Sequence, residues 1–468
     1  MKIFLLNPPG PNGRAFTREG RCTQAAGVWG TTWPPLSLAT CAALLEKDGH
    51  QARILDAAVA NRHGRAVTHA LRAFAPDLVA WTTGTPTMAH DLALGEKIKR
   101  IRPQAFTCVL GTHVSALPGE ALAADGVDAV IRGEPERPLS ALATAGLANL
   151  RSIKGLSFRS ERKIIHTPSA APLEASRLPA PAWRLLDVQA YRLPLKGRPF
   201  LMVAPIRGCP YACSFCTAPL YYGRRLRKRP VVHVLDEIEA NVVQHGVRDV
   251  FVWADTFTAD RGYVLDLCDG MKERGLHIAW TCNSRVDTVD RDMLARMRRA
   301  GCWMVSFGLE SASREILDRC GKGITVDQSR AAVFMAHDAG LCTSGHFILG
   351  LPGETRATMA ATLDLALGLP LDVAQFYAAS PFPGTRLFRE AVENGWIRRT
   401  RPASQGRAVM DLPGLPAEAV DGFRRAAYRR FYGRPRALSN LATMIDPRML
   451  LHAGANLRGV LHWMQGTR

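Results

Sequence analysis

Cys209, Cys213 and Cys216 fall within one short stretch, GCPYACSFC (208–216). Thiolates spaced C-x3-C-x2-C on a single loop can all point at one metal centre. A structural zinc site needs a fourth Cys or His at standard spacing, and the next histidine downstream, His233, is poorly placed for it. An ordinary [4Fe–4S] site takes one cysteine per iron, so three cysteines leave one iron without a protein ligand. An open coordination position is where a metal centre does chemistry. Structural zinc and three unrelated thiols remain as the plainer alternatives.

The elements that must position this loop follow a βα rhythm. Apolar runs FLMVAPI (200–206), VRDVFVWA (247–254), HIAWTC (277–282), WMVSFG (303–308), TSGHFILG (343–350) and LDVAQFYAA (371–379) read as strands. Helical patterns such as VLDEIEANVVQHG, RDMLARMRRAG and TRATMAATLDLALG separate them. Six such units fall short of the eight that close a barrel, so an open (β/α)6 barrel is expected over 199–395, with the cysteines on the loop leaving its first strand. In front of it, KIFLL (2–6), ARILD (52–56), DLVAWTT (77–83), FTCVLG (106–111) and VDAVIRG (127–133) alternate with helix-like segments. One of those segments is TMAHDLALGEKIKRIRP (87–103). Residues 1–150 are therefore expected to form a doubly wound, Rossmann-like α/β domain with its ligand at the carboxyl ends of the strands. Residues 151–198 hold a hairpin, SIKGLSFRSERKIIHTP, and a proline-rich stretch, and read as a connector; 396–468 read as a basic helical region.

The C-x3-C-x-aromatic-C pattern, with Phe215 before the last cysteine, resembles the signature of radical S-adenosylmethionine (SAM) enzymes. The resemblance implies a [4Fe–4S] cluster on Cys209, Cys213 and Cys216, with SAM itself as ligand of the open iron. It also carries over further residues in order along the barrel. Asp255 and Thr256 of WADTFT would face the SAM amine, where the family more often has Gly-Gly-Glu. Arg285 would pair with the SAM carboxylate. Ser306 and Glu310 of SFGLES would meet the ribose, and Ile348 and Gly350 of GHFILGLPGET would lie near adenine. Read singly, Asp255 or Glu310 is equally a strand-end turn or cap residue.

The front domain lacks GxGxxG and GxxxxGK, which argues against a dinucleotide or a P-loop nucleotide. Its strand ends instead carry NPPG, TTGTPT, GTHVSALP and RGEPE. This order, with TTWPPLSLA (31–39) and PAPAWRLLD (179–187), resembles the cobalamin-binding domain of B12-dependent radical SAM enzymes. The resemblance spans about 1–395 and implies cobalamin contacts at Pro9, Thr83, Gly84, Thr87, Gly111, Thr112, His113, Gly133 and Glu134. The DxHxxG motif whose histidine ligates cobalt is absent, and His113 is either a polar neighbour of the ligand or a turn cap. A domain that has lost its ligand, leaving turn chemistry alone, is the other reading of these strand ends.

The activity implied is methylation of an unactivated carbon by way of a 5′-deoxyadenosyl radical and methylcobalamin. The alternative keeps both cofactors for an oxidation or cyclisation of a tetrapyrrole-like or isoprenoid substrate. A non-catalytic corrinoid or cluster carrier is remote, because a carrier has no use for a SAM pocket. The expected partners are a small, hydrophobic substrate and an electron donor such as flavodoxin or ferredoxin. The net charge of +19 invites nucleic acid, but no RRM or KH signature accompanies it. For the arginine-rich end of the chain two readings stay open: closing the barrel mouth over substrate, or peripheral contact with an anionic membrane. No 18-residue uncharged apolar run and no signal-peptide pattern occur, and the scattered cysteines are no disulfide framework, so a cytoplasmic enzyme is expected.

Overall fold

The computed structural model describes residues 1–11, 16–20, 22–25, 32–59, 64–193, 196–398 and 402–445. The first part runs β1 (Lys2–Asn7), β2 (Phe16–Glu19), β3 (Cys22–Ala25), β4 (Gln51–Asp56), β5 (Leu78–Thr82), β6 (Phe106–Leu110), β7 (Ala129–Ile131), β8 (Leu156–Ser160) and β9 (Lys163–His166). Seven of these form one sheet in the order β4-β1-β5-β6-β7-β8-β9. Its first five strands are parallel, and their uninterrupted apolar runs are buried on both faces, Ile3 and Leu5 on one and Phe4 and Leu6 on the other. The strand order reverses at β1/β5, the crevice where ligands of open α/β sheets rest.

The hairpin expected in the connector is present as β8 and β9, but it adds antiparallel to β7 and so extends the first sheet. A second hairpin, β2–β3, escaped the sequence reading altogether; it is only four residues per strand and crosses the β1/β5 strand ends. The expected helix over 87–103 is two helices, Met88–Leu92 and Leu94–Ile101. Asp91, in the first, is drawn into a buried ion pair, and Gly95, in the second, lies so close to Gly126 that a Cβ there would meet the Gly126 carbonyl at 2.6 Å.

The second part runs β10 (Phe200–Val203), β11 (Ile206–Arg207), β12 (Arg227–Lys228), β13 (Asp249–Val252), β14 (Ala279–Ser284), β15 (Cys302–Glu310), β16 (Cys342–Leu349) and β17 (Val373–Ala378). Six of them form an all-parallel sheet, β10-β13-β14-β15-β16-β17, an open partial barrel as expected. Six helices that follow β13 to β17 start on side-chain caps at Asp260, Asp290, Ser313, Thr325, Thr355 and Thr385, which stop the strand-end loops at defined points.

The described part of the basic C-terminal region does something neither expectation named. Helix Ala417–Tyr432 lies against β17, the last strand of the sheet, and its tyrosines complete that strand's hydrogen bonding. Tyr432 Oη accepts from Ala374 N (3.1 Å) and donates to Ala374 O (2.9 Å); Tyr428 Oη does the same at Phe376 (3.0 and 3.2 Å). Residues 446–468 lie outside the described residues. No helix of the described residues is long and apolar enough to cross a membrane.

Candidate functional site

The cysteine loop is pinched at its base by the two-residue pairing of β11 with β12, so residues 208–226 project from the end of the first barrel strand. Gly208 has φ +90°, and a Cβ there would sit 2.2 Å from the Arg225 carbonyl, so no other residue fits the crossing. Cys209 N donates to Gly223 O (3.1 Å), Ser214 N to Cys320 O (2.8 Å) and Leu387 N to Ser214 O (2.9 Å). The first closes the loop on itself and the other two tie it to two further elements, the end of helix Arg314–Arg319 and the start of helix Arg386–Glu393. Cys209 is buried, and its sulfur is 3.3 Å from Thr256 Oγ1 at the end of β13. Cys213 and Cys216 are half-buried. Burial raises the Cys213 thiol above its ordinary value, while the charges of Lys322 and Arg285 pull it back. A set of thiols backed by buried cations is what an iron–sulfur cluster needs, and the residues present fit one.

Around the loop the structure brings together much of the expected set. Thr256, Arg285, Ser306 and Glu310 are buried at the strand ends, and Asp255 is half-buried, near enough to Tyr222 for its charge to raise that phenol further. Phe215 packs against the barrel core. Two of the expected residues have close neighbours within the chain. Arg285 is committed internally: it donates twice to Asp287 (2.8 Å each) and once to Lys322 O (2.7 Å), and its guanidinium lies 3.6 Å from the Tyr211 ring of the cysteine loop. Gly350 has φ +83° and faces Val420 of the C-terminal helix, where a Cβ would approach to 3.1 Å. Ile348 is buried in the same core. Glu354, three residues on from Leu351, accepts from both Gly350 N and Leu351 N, and burial lifts its pKa to about 7.

Lys322 was not visible in the sequence as a site residue. It is buried, with Glu310 Oε1 at 2.7 Å, and Gly308 makes room for the pair: a Cβ there would meet the Glu310 carboxylate at 2.6 Å and the Lys322 ammonium at 2.7 Å. Burial works against the Lys322 charge, but Glu310 and Cys213 outweigh it and hold the ammonium above its ordinary value.

The strand ends of the front domain are more self-satisfied than expected. Arg18, on β2, reaches into the β1/β5 crevice and is buried there against Asp91 (2.8 Å), Thr87 Oγ1, Asn7 Oδ1 and the Pro8 and Pro9 carbonyls. Thr83 and Thr87 donate their hydroxyls to the same Asp91. His113 is engaged at both ring nitrogens, Nδ1 with Thr85 and Nε2 with Glu120, each at 3.0 Å, and burial lowers its pKa. Glu134 is tied to Arg227 and Arg207 of the barrel half, and Gly133 N donates to Ser115 Oγ. Gly84 is buried beside Thr83, and Thr112 opens the short helix after β6. Gly111, at φ +141°, passes so close to the Thr83 carbonyl that a Cβ would clash at 2.1 Å. The strand ends offer backbone and glycine, and His113 has both ring nitrogens engaged within the chain. Such strand ends would fit a corrinoid resting on main chain and glycine.

Residues 203–366 match the family model of the radical SAM superfamily, and residues 24–143 match that of the B12 binding domain. An uncharacterized methyltransferase, PH0819 of Pyrococcus horikoshii, is 34% identical over 444 residues, 94% of either chain. The anaerobic magnesium-protoporphyrin IX monomethyl ester cyclase of Rubrivivax gelatinosus is 31% identical across 83% of this chain and 70% of its own. The radical SAM methyltransferase TsrM of Kitasatospora setae, solved with cobalamin and a [4Fe–4S] cluster, superposes with a TM-score of 0.70 at 20% identity, over 96% of this chain and 89% of its own.

Proposed function

The chain belongs to the cobalamin-dependent radical SAM enzymes, and from that we propose that it methylates an unactivated carbon of a small, hydrophobic molecule. The observation that carries the choice of methyl transfer is the 94% mutual coverage with a relative named a methyltransferase, whereas the cyclase extends well beyond this chain. A cyclisation or oxidation of a tetrapyrrole-like substrate is the second reading, favoured by the 31% identity to that cyclase.

Cys209, Cys213 and Cys216 would hold the [4Fe–4S] cluster, and the strand ends from Pro9 to Gly133 the cobalamin. When bound, these groups supply a 5′-deoxyadenosyl radical from SAM and a transferable methyl group. The chain's own residues do the positioning. Thr256 hydrogen-bonds the Cys209 sulfur, Arg285 stacks under Tyr211 to brace the loop, and Ser306, Glu310 and Ile348 line the SAM side. Half-buried Trp33 packs its ring on the buried Phe200, Phe251 and Trp253 and so joins the two halves. The reducing electron is assigned to a small redox protein such as flavodoxin or ferredoxin. Cys41, Cys108, Cys268, Cys282, Cys302, Cys320 and Cys342 are free thiols, which suits the reducing cytoplasm. Contact with an anionic membrane would fall to the outward arginines Arg425, Arg429 and Arg430, because the apolar face of their helix is buried on β17.

The test is anaerobic. Wild type and the Cys209→Ala/Cys213→Ala/Cys216→Ala variant are loaded with iron, sulfide and hydroxocobalamin, then given trideuteromethyl SAM and an extract of small molecules. Wild type is expected to hold four irons and one cobalamin and to label a product with a trideuteromethyl group. The variant is expected to lose iron and labelling but keep cobalt. A product altered without label would favour cyclisation, and no cobalamin uptake would end the methyltransferase reading.

A further inference from the structure

The cysteine loop comes to the surface at its tip. Cys209 is buried and Cys213 half-buried, yet Pro210 and Ala212 between them are exposed and Tyr211 is half-buried. Two cysteines thus lie one residue below a small uncharged spot. The spot is held still: the Arg285 guanidinium lies 3.6 Å from the Tyr211 ring, Ser214 N donates to Cys320 O, and Ser214 O accepts from Leu387 N. Arginines flank it on two sides. Arg224 and Arg225 are exposed on the returning arm of the loop, where Gly223 O accepts from Cys209 N (3.1 Å) and the Arg225 carbonyl packs on Gly208. On the Ala212 side, Arg386 is exposed and donates to Arg319 O (3.0 Å); a Cβ on Gly321 would meet its guanidinium at 3.2 Å and the Ala212 carbonyl at 3.0 Å. The nearby acids are spent, Asp287 on Arg285 and Glu390 on Arg319. Among the described residues no carboxylate pairs with Arg224, Arg225 or Arg386.

We propose that this tip is where the electron donor docks: a small acidic one-electron carrier, with Pro210, Tyr211 and Ala212 at the centre of the contact and Arg224, Arg225 and Arg386 on its rim. An uncharged centre inside a polar rim is the anatomy of a protein interface, and arginine is enriched there. Electron-transfer partners meet through small, weak contacts, which so small a tip can supply. The unpaired guanidiniums choose the sign of the partner, since they steer an anionic surface inward and repel a cationic one. The step itself asks for approach alone. One electron leaves the carrier, which is oxidised, and enters the cluster, which is reduced; no bond is made or broken. The inference rests on the functional reading above.

Cluster-loaded full-length protein is reduced without oxygen by photoreduced flavodoxin in one series and by photoreduced deazaflavin, a small molecule that needs no docking, in the other. Bleaching of the cluster gives the rate, and iron is measured on every sample. R224E/R225E/R386E is expected to slow reduction by flavodoxin roughly 10- to 100-fold at low salt and to leave the deazaflavin rate unchanged. The gap is expected to narrow as salt is raised, because exposed charges are screened. R53E/R65E/R72E makes the same change of charge at exposed positions of the front domain and is expected to match wild type in both series. Equal flavodoxin rates for R224E/R225E/R386E and wild type overturn the inference. So does an equal slowing by R53E/R65E/R72E, which would mean that net charge and not this surface attracts the carrier. Should R224E/R225E/R386E fail to take up iron, R224Q/R225Q decides by the same comparison. Wild type that takes up four irons but is reduced only by deazaflavin also overturns the inference and leaves the functional reading standing. Wild type that takes up no cluster overturns that reading, and the inference with it.

Discussion

At the scale of single residues, Glu354 shows how a strand-end motif can be structural. Its carboxylate is buried and takes the N–H groups of Gly350 and Leu351, yet burial outweighs those bonds and raises its pKa from 4.5 to about 7. The sign follows from linkage. A carboxyl whose folded value lies above its unfolded one adds stability fully below the unfolded value, near 4.5, and loses it as pH rises through about 7. The ceiling on that loss is about 3 kcal/mol. Glu354→Gln keeps an acceptor for both N–H groups and removes the ionisation. Its urea midpoint relative to wild type is expected to rise between pH 5 and pH 8. A constant difference across that range would mean that Glu354 is not the titrating group.

At the scale of elements, the C-terminal helix acts as a substitute strand. β17 would otherwise offer Ala374 and Phe376 as unpaired backbone at the edge of the barrel sheet, an invitation to pair with another chain. Tyr428 and Tyr432, one helical turn apart, each pair one N–H and one C=O through a single hydroxyl. Tyr428→Phe and Tyr432→Phe are expected to cost ~1–3 kcal/mol each in urea unfolding, and the double variant to scatter light on storage. Wild-type midpoints in both would show that water replaces the hydroxyls. This device also marks where sequence legibility ends. The six barrel strands and the cysteine loop can be read because their signals are local: a period, a spacing, a glycine at a turn. Tyr428 and Tyr432 sit in an arginine-rich amphipathic pattern whose polar groups point at backbone that lies over fifty residues away. Arg18 is hidden for the same reason, since Asp91 becomes its partner only after elements distant in sequence are adjacent in space, whereas Lys322 meets Glu310 twelve residues away through the turn of one short helix. Arg285 differs in that its partner within the chain is local: Asp287, two residues on, is legible in the sequence as a competitor for its guanidinium.

At the scale of the whole molecule, the two halves are joined by buried charge. Glu134 and Glu136, just after β7, meet Arg207 and Arg227 from the pinched pair of strands below the cysteine loop. Glu19 lies in the same field, hydrogen-bonded to Ser37; burial lifts its pKa to about 7, so near neutrality it is partly protonated and two carboxylates face two guanidiniums. Breaking one partner of such a buried pair leaves the other uncompensated, at ~3–5 kcal/mol. Glu134→Gln and Arg227→Met are each expected to fall in that range by urea unfolding, and the double variant to lose ~1–3 kcal/mol less than their sum. The same pair of variants separates two roles for Glu134. If its carboxylate touched the corrinoid, Glu134→Gln would weaken cobalamin binding while Arg227→Met, on the barrel side, would leave it intact. A carboxylate that instead fixes how the front domain sits against the barrel predicts that both changes weaken cobalamin by the same factor, which dialysis against hydroxocobalamin measures. Unequal factors would return Glu134 to the ligand rim and leave Arg207–Glu136 as the bridge between the halves.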